Sequence, residues 1–455
     1  MSSMARSGRL RPTGMVGTAV AFLAAMVVLQ ACSAPGGGAT PDDAEPGAVS
    51  TDLGSAPVTL RMHVNADQRD YMAELAAAFK QEHPTVTIEI TAEPPEVLQQ
   101  NVPRILAAEN KNPPDLLRLP TMGDAAKNRL VLNLDRYAEL YKWGEIPASQ
   151  FTQLRVSSDG REKGTGSLYG VGLGFGVVGL YYNKKIAQEL GFTQPPATLA
   201  DLEAMLAKAK SSGKTAMIGA GNSSFLFQLL WLAHAGPQPI SEWTLGAPDA
   251  TIDSPEAVRA AETVRRWAQK GYFPADHLAI DETAAVGRFA KGEALAYVNG
   301  NWFAAMLDKQ LPGQVGFIPF PLVAMDGRRT AMSAPLTYAI PARSTHHDAA
   351  AAFLNWALTS SQARRITIKS AGIVPGGVAD QPAAEVAPGT ALYDTLTAFQ
   401  QISRSDGLVA FLGDASEGIL AGTLAPQTQL LVSGRVSPED YVRKIQADYQ
   451  RDLGR

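Results

Sequence analysis

The folded part of the chain opens with apolar residues at every second position. Residues 58–64 alternate in this way, which predicts a strand that ends at residues 65–67. An apolar stripe at helical spacing follows over residues 71–79 and stops before Pro84. Alternation returns over residues 85–90. Strand, helix and strand in this order predict a parallel pair with a right-handed crossover, and therefore an α/β fold.

A second alternating stretch carries glycine at every second position. Gly170, Gly172, Gly174 and Gly176 precede an apolar and aromatic run, which predicts a long strand. Missing side chains let a ligand come close and ease changes of backbone angle, so we expect a hinge strand beside a ligand cleft. A glycine-rich strand without a ligand role is the alternative. Residues 174–179 also match G-x-G-x-x-G, the motif of dinucleotide-binding sites, but such a site needs a helix directly after the glycines. Here a β-rich run follows, so we expect no nucleotide site.

Three helices are predicted by their first residues. Thr198 precedes Asp201 by three positions, as in a capping box. Ser254 and Ser437 each precede a Pro-Glu pair, which is typical of an N-cap followed by the first helical turn. The aromatic residues of these stretches, such as Trp267, are expected in the core.

The N-terminal residues are typical of an exported, lipid-anchored protein. Basic residues precede an apolar stretch over residues 15–29, which is short for a membrane span but suits a signal peptide. The stretch ends in LQAC, which resembles a bacterial lipobox whose cysteine, here Cys32, is acylated and becomes the new N-terminus. We therefore expect a signal peptide over residues 1–31 and a flexible tether, rich in Gly, Pro, Ala and Ser, over residues 32–56. An incidental cysteine is the alternative.

Composition excludes several classes of function. The chain has 455 residues, 45% of them hydrophobic, enough for a large core in two or three domains. The formal net charge is −4 without a basic cluster, so we expect no nucleic-acid partner. A single cysteine excludes a disulfide framework and a Cys-based zinc site. None of the six histidines forms a helical i, i+4 pair, so we expect no metal and no cofactor.

Polar residues follow two of the predicted strands. Ligands of α/β sheets bind outside the carboxyl ends of the strands. Asn65 and Asp67 follow the first strand, and Thr121 and Asp124 follow a short buried strand predicted within residues 113–120. Each pair is therefore a candidate for ligand binding, with an ordinary solvated loop as the alternative.

Several sequence blocks resemble those of a known family. Tyr169-Gly170, the YNKK of residues 182–185 and the PPAT of residues 195–198 are similar to the extracellular solute-binding proteins, family 1, of bacterial ABC importers, the maltose-binding-protein-like group. Further blocks follow in the family's order, at residues 289–302, 317–321, 339–375 and 437–449. No single motif is diagnostic, but their joint order covers nearly all of the chain after residue 57.

The resemblance implies a two-lobe fold of the periplasmic-binding-protein type II. Three crossings would join the lobes, with a ligand cleft between them that closes by a hinge motion. We place the crossings near residues 174–177, 317–323 and 403–408. Lobe 1 would combine residues 57–174 and 321–402, and lobe 2 residues 178–318 and 408–455.

The resemblance also implies a carbohydrate ligand, which needs aromatic faces for C–H patches and polar groups for hydroxyls. Trp302 is the first candidate for an aromatic platform. The sequence departs from the family at residues 333–336, where SAPL replaces a Gly-Gly pair found in many members. The ligand contacts that we expect are Asn65, Asp67, Thr121, Asp124, Phe175, Asn222, Trp231, Asn301, Trp302, Leu336 and Val374. For Trp231, a place in the core is an equal alternative.

These observations predict a binding protein without enzymatic activity. It would be a monomer, lipid-anchored at the extracytoplasmic face of the cell membrane, that captures a small solute and delivers it to an ABC permease. A separate ATPase would supply the energy, because the chain has no Walker sequence. One alternative is a surface signalling or adhesion module. Another is a glycoside hydrolase that uses Asp281 and Glu282, a pair that also fits a solvated turn.

Overall fold

The computed structural model describes the chain in seven segments. These are residues 45–108, 113–119, 121–219, 224–320, 329–378, 386–416 and 418–454. The predicted signal peptide, Cys32 and Asn222 lie outside the described residues. In the segments that are described, no helix is long and apolar enough to cross a membrane.

The described elements are strands and helices in alternation. The strands are β1 (Val58–Asn65), β2 (Val86–Glu93), β3 (Leu116–Arg118), β4 (Arg155–Val156), β5 (Ser167–Leu168), β6 (Val171–Asn183), β7 (Thr215–Ile218), β8 (Ala294–Gly300), β9 (Val315–Pro319), β10 (Ala331–Ala339), β11 (Val374–Pro375) and β12 (Leu408–Val409). The α-helices are α1 (Arg69–Glu82), α2 (Pro95–Ala107), α3 (Gly123–Lys127), α4 (Asp135–Leu140), α5 (Ser149–Thr152), α6 (Lys184–Glu189), α7 (Leu199–Ser211), α8 (Phe225–Ala235), α9 (Pro237–Leu245), α10 (Pro255–Gln269), α11 (Glu282–Ala290), α12 (Ala304–Gln310), α13 (His347–Thr359), α14 (Ser361–Ala371), α15 (Ala391–Arg404), α16 (Ala425–Val432) and α17 (Pro438–Asp452).

The local predictions of strands and helix starts are confirmed. β1 and β2 pair in parallel with α1 between them. Thr198 and Asp201 form the complete capping box of α7. Ser254 and Ser437 cap α10 and α17 through their hydroxyl oxygens, which accept backbone N–H groups of the first turn. These elements depend on residues close in sequence, so the pattern alone predicts them.

The long strand β6 joins the two halves of the main sheet. The strand order is β2-β1-β3-β10-β6-β8-β7. The first half of β6 pairs with β10, and its second half pairs with β8 on one side and β9 on the other. The glycine-rich strand predicted from the sequence therefore runs through the middle of the fold and carries the chain from one half to the other.

Two separate hydrophobic cores flank this strand. The first core takes its buried residues from positions 60–173 and 338–363, and the second from positions 178–332 and 409–449. We call the parts built on them lobe 1 and lobe 2. A third cluster, which includes Phe175 and Val177 of β6, packs under α15 where the lobes meet.

The other connections between the lobes run beside β6. β10 starts beside β12, where Met332 pairs with Val409, and ends beside β3, where Tyr338 pairs with Arg118. β12 follows α15 and leads the chain back into lobe 2. Part of the second predicted crossing, residues 321–323, lies outside the described residues.

Residues 45–54, within the predicted tether, contact lobe 1. The side chain of Asn133 donates to a carboxylate oxygen of Glu45 at 2.9 Å, and Arg136 donates to the carbonyl oxygens of residues 46 and 47. The backbone N–H of Ser50 donates to Asp348 at 3.1 Å. Val49 and Leu53 pack against the first core. We call these residues the N-terminal strap.

Partly buried histidines make the folding stability depend on pH. Burial is the main cause that lowers the pKa of His63, His234 and His347 below the ordinary value of 6.5. Just below that pH the unfolded chain therefore binds more protons than the folded chain, so stability is complete above it and decreases as the pH falls.

We expect the midpoint of urea unfolding to decrease between about pH 7.5 and about pH 5.5, and His347→Gln to make that decrease smaller. The variant removes one of the groups that must stay neutral in the folded state. Urea titrations of both proteins at several pH values check this. A pH dependence that is identical in the two proteins would contradict it.

Candidate functional site

One polar edge of the site lies on lobe 1, at the carboxyl ends of parallel strands. Asn65 ends β1 and is half-buried, and Asp67 follows it in an exposed 3-10 turn. Thr121 and Asp124 follow β3 and are exposed. Because β1 and β3 are parallel neighbours, their carboxyl ends emerge at the same edge.

Arg118 occupies the same edge, although our candidates from the sequence do not include it. Its Nη1 donates to the carbonyl oxygens of Leu119 and Thr337, at 3.0 and 3.3 Å, while its buried Nε has no hydrogen-bond partner in the structure as described. Burial lowers the pKa of Arg118, and the nearby Asp67 and Asp414 act against this shift. The guanidinium is thus held in place by backbone carbonyls of the loop after β3 and of β10.

The candidate surface on lobe 2 is aromatic. Trp302 follows β8 and is 40% exposed, one of the few large apolar side chains of the described residues that is open to solvent. The ring of Phe225 lies 6.3 Å from that of Trp302, edge-on, and 5.7 Å from that of Phe411. These three rings form a surface on which the apolar face of a ligand can lie.

The indole of Trp302 rests directly on two glycines. A Cβ on Gly300 would overlap the indole ring, and one on Gly176 of β6 would lie 3.2 Å from its Cζ3. Close contact between ring and backbone is possible only because both positions lack a side chain. Gly176, one of the alternating glycines of β6, therefore helps to let the indole of Trp302 lie against the sheet.

Asn301 ties this turn to β6. Its Oδ1 accepts from the N–H of Val177 at 2.9 Å, and its Nδ2 donates to the carbonyl of Phe175 at 3.1 Å. The side chain is 2% exposed. Our expectation that Asn301 binds ligand hydroxyls is therefore corrected, because both ends of its amide already bind backbone and position Trp302.

Leu336 lies where the lobes meet, on the floor of the cleft. It is half-buried, and its Cδ1 would be 3.2 Å from a Cβ placed on Gly174. The register between β10 and β6 shifts between Pro335 and Thr337. The SAPL segment is thus an irregular part of β10 beside the glycine face of β6.

Three other expected contacts are placed in the interior instead. Phe175 packs against Phe399 with ring centroids 5.2 Å apart, and Val374 pairs with Phe175 in the sheet. Phe175 is buried because the odd-numbered positions in the first half of β6 face away from the glycine side, and Val374 belongs to the same buried cluster. Trp231 is 0% exposed and packs between Phe227 and Trp243, because α8 is apolar on every side.

Two charged residues complete the surroundings of Arg118. Lys163, from the hairpin of β4 and β5, donates through Nζ to the backbone carbonyl of Asp414. Protein atoms packed around Asp414 partly desolvate its carboxylate and raise its pKa, although the residue remains open to solvent, while the positive charges of Lys163 and Arg118 oppose that shift. With Asp67, the group holds two acidic and two basic side chains. Such balance favours an uncharged ligand with hydroxyl groups over an ion.

The residues of the hydrolase alternative have another role. Asp281 caps α11, since its Oδ1 accepts from the N–H of Ala284 at 2.7 Å, and Glu282 lies in the first turn of that helix. Among the described residues there is also no group of three His, Cys, Asp or Glu side chains that could hold a metal ion.

Comparisons with known proteins give a consistent result. A model of the family described as "Bacterial extracellular solute-binding protein" matches residues 65–364. No curated protein sequence matches the chain.

Solved structures are similar over most of the chain. A family 1 extracellular solute-binding protein from Bifidobacterium longum subsp. infantis has a TM-score of 0.70 at 19% identity, covering 87% of this chain and 100% of that one. The GacH receptor of Streptomyces glaucescens GLA.O, solved unliganded and with acarbose, has a TM-score of 0.68 at 19% identity, with 88% and 99% coverage. A chitin oligosaccharide binding protein has a TM-score of 0.66 at 20% identity, with 88% and 100% coverage. The predicted two-lobe fold of type II is thereby confirmed.

Proposed function

The chain belongs to the bacterial extracellular solute-binding proteins, and from that premise we propose that it captures a carbohydrate by closing its two lobes. Members of this family are binding proteins and act outside the cytoplasm. The proposal concerns the ligand, the residues that hold it and the route of delivery.

The exposed indole of Trp302 supports a carbohydrate most directly. A pyranose ring has apolar C–H faces and a rim of hydroxyls, so it needs one aromatic wall and one wall of hydrogen-bonding groups. Lobe 2 offers the rings of Trp302, Phe225 and Phe411. Lobe 1 offers Arg118 and Asp67, and the balanced charge fits a neutral sugar.

In this proposal the ligand contacts are the side chains around the interlobe space. A ligand that touches both walls stabilises the closed form by its difference in affinity between the open and closed states. The expected contacts that we keep are Asn65, Asp67, Thr121, Asp124, Trp302 and Leu336, to which we add Arg118, Phe225, Phe411 and Asp414. Asn222, which lies outside the described residues, stays a candidate.

Two similar proteins add support for the ligand class. One is described as a chitin oligosaccharide binding protein, and another was solved in complex with acarbose. Their low identity to this chain leaves the particular sugar open, so the proposal names the class of ligand only.

Delivery follows from the family and from the N-terminal sequence. We infer that Cys32 carries a lipid anchor after removal of residues 1–31, and that the protein passes its sugar to an ABC permease with a separate ATPase. Labelling with a radioactive fatty acid should mark the wild type and leave Cys32→Ala unlabelled.

A thermal-shift panel of the soluble form that starts at Ser33 tests the ligand class. The panel contains neutral oligosaccharides, amino sugars, polyols, amino acids and glycerol phosphodiesters. A ligand at about 100 times its dissociation constant adds about 2.7 kcal/mol to folding stability, which should raise the unfolding midpoint by about 5 °C or more. A rise with neutral saccharides alone is the expected result. A rise only with amino acids or phosphodiesters would overturn the carbohydrate proposal.

A further inference from the structure

The hairpin of β4 and β5 reaches from lobe 1 to lobe 2. We call residues 157–166, between these strands, the hairpin tip. The backbone N–H of Lys163 donates to the carbonyl of Leu245, the last residue of α9, at 2.8 Å. The same residue donates through Nζ to the carbonyl of Asp414. Both partners belong to lobe 2, so the tip forms a contact between the lobes that is separate from the crossing strands.

The contact leaves no room between the two backbones. Gly246, just after α9, has a φ of 81°, and a Cβ there would lie 2.9 Å from the carbonyl oxygen of Arg161 in the tip. Gly164 in the tip has a φ of 84°, and a Cβ there would lie 2.8 Å from Cδ1 of Leu245. Each side of the contact thus has a glycine in the left-handed region where the other lobe comes close. A sugar ring cannot pass between them.

The hairpin tip also lies against the polar edge of lobe 1. Gly160 contacts Lys127 and lies close to the carbonyl of Gly123, so it packs on α3, the helix that follows Thr121. On the other side, Asp414 is close enough to Arg118 for each charge to shift the pKa of the other group. The tip therefore crosses the interlobe space just beyond the end of β3.

We propose that the hairpin tip closes one end of the binding cleft, so that the site takes the terminal sugar of a saccharide and rejects an internal segment of a chain. This inference rests on the proposed function, since it specifies which part of a saccharide is bound. A cleft open at both ends would let a chain continue in both directions. Here a chain can continue only away from Lys163.

The groups at the closed end fit an unmodified terminus. Asp414 is open to solvent beside Arg118, so its carboxylate can accept a hydrogen bond from a hydroxyl of a terminal sugar. A bulky group on that terminus would have to displace the contact of Lys163 with Leu245 and Asp414. The cost of breaking that contact should appear as lost affinity.

End-blocked saccharides test this inference. The full chain in detergent is titrated by calorimetry with linear maltotetraose, xylotetraose and chitotetraose. Each sugar that binds is then tested with an aromatic amine coupled to its reducing end and with a block on its non-reducing end, which is a 4,6-O-benzylidene acetal for the two hexose sugars and a 4-O-benzyl ether for xylotetraose. We expect one blocked form to bind at least roughly tenfold more weakly and the other to bind within about twofold of the free sugar.

Equal affinity of the two blocked forms would overturn the inference while leaving the proposed function intact. Failure of all three linear sugars to bind would instead count against the proposed function, and this inference would fall with it.

Two variants of the hairpin tip locate the effect. In the first, Asn-Gly replaces residues 158–161, which shortens the tip but keeps the hydrogen bond from Ser157 N to Glu162 O and suits a two-residue turn. The second is Lys163→Ala, which removes the hydrogen bond of Nζ with Asp414 but keeps the backbone bond to Leu245 and should therefore disturb folding less. We expect each variant to bind the blocked saccharide at least about threefold more tightly than the wild type does. Lys208→Ala, on the exposed side of α7, serves as the control and should bind it no more tightly than the wild type. If neither tip variant changes the ratio of the affinities for the blocked and the free saccharide, the hairpin tip does not close the end of the cleft.

Discussion

Trp302→Ala is expected to weaken saccharide binding by about 2 kcal/mol, roughly 30-fold in Kd, because exposed aromatic anchors commonly carry that share of binding energy. The indole is 40% exposed and is not part of a core, so the variant should unfold at nearly the same temperature as the wild type. Calorimetric titration with the sugar found in the thermal-shift panel measures the loss. Unchanged affinity would remove Trp302 from the binding site.

Gly300→Ala should act through the same ring without removing it. The new methyl group would overlap the indole, and since Gly300 has a φ of −85°, alanine fits the backbone itself. The indole must therefore leave its position over β6, and we expect a loss of roughly tenfold in affinity. Gly287→Ala in α11 is the matched control, since nothing lies within 4 Å of its added methyl group. If Gly300→Ala binds the sugar as tightly as the wild type, the indole of Trp302 does not bind the sugar from its position against Gly300 and Gly176.

Asp115→Ala is expected to lower folding stability by about 3 kcal/mol, because it leaves several buried donors without an acceptor. Asp115 is 1% exposed at the start of β3. Its carboxylate accepts from the N–H of Arg61 at 2.8 Å, from the hydroxyl of Ser344 at 2.6 Å and from Nδ1 of His346 at 3.1 Å. It thereby joins β1 to the loop before α13, at the end of the sheet that is remote from the cleft.

Thermal unfolding measures this effect, with an expected decrease of at least about 5 °C in the midpoint. Ser344→Ala removes only one of the three donors and should cost about 1 kcal/mol. Affinity for the sugar should stay unchanged in both variants, because the cluster lies at the opposite end of β3 from Arg118. A loss for Asp115→Ala no larger than for Ser344→Ala would show that the carboxylate does not hold these elements together.

Local patterns in the sequence predicted most of the fold. Alternation within eight residues defines β1, and the first residues of α7, α10 and α17 satisfy their own backbone groups. Trp302 is a candidate because residues 289–302 resemble a block of the family and because polar residues precede it in the chain. Such features need no knowledge of distant contacts.

The rest of the site depends on contacts that a local pattern does not encode. Lys163 and Asp414 are 251 positions apart, and only the folded chain brings them together. Arg118 had a signal, since it ends a short apolar strand, but a lone arginine there is equally compatible with an exposed loop. For Phe175 the alternation already contained the signal, because Gly172, Gly174 and Gly176 occupy even positions in the first half of β6 and the apolar residues between them occupy odd ones.

The N-terminal strap has a mechanical consequence. The hydrogen bonds described between it and the rest of the protein, through Asn133, Arg136 and Asp348, are all with lobe 1. A force applied to the chain at residue 45 is therefore transmitted to lobe 1 and does not act on the strands that connect the lobes. If Cys32 carries the lipid anchor that we propose, lobe 1 is the lobe attached to the membrane and lobe 2 is the lobe that moves during closure.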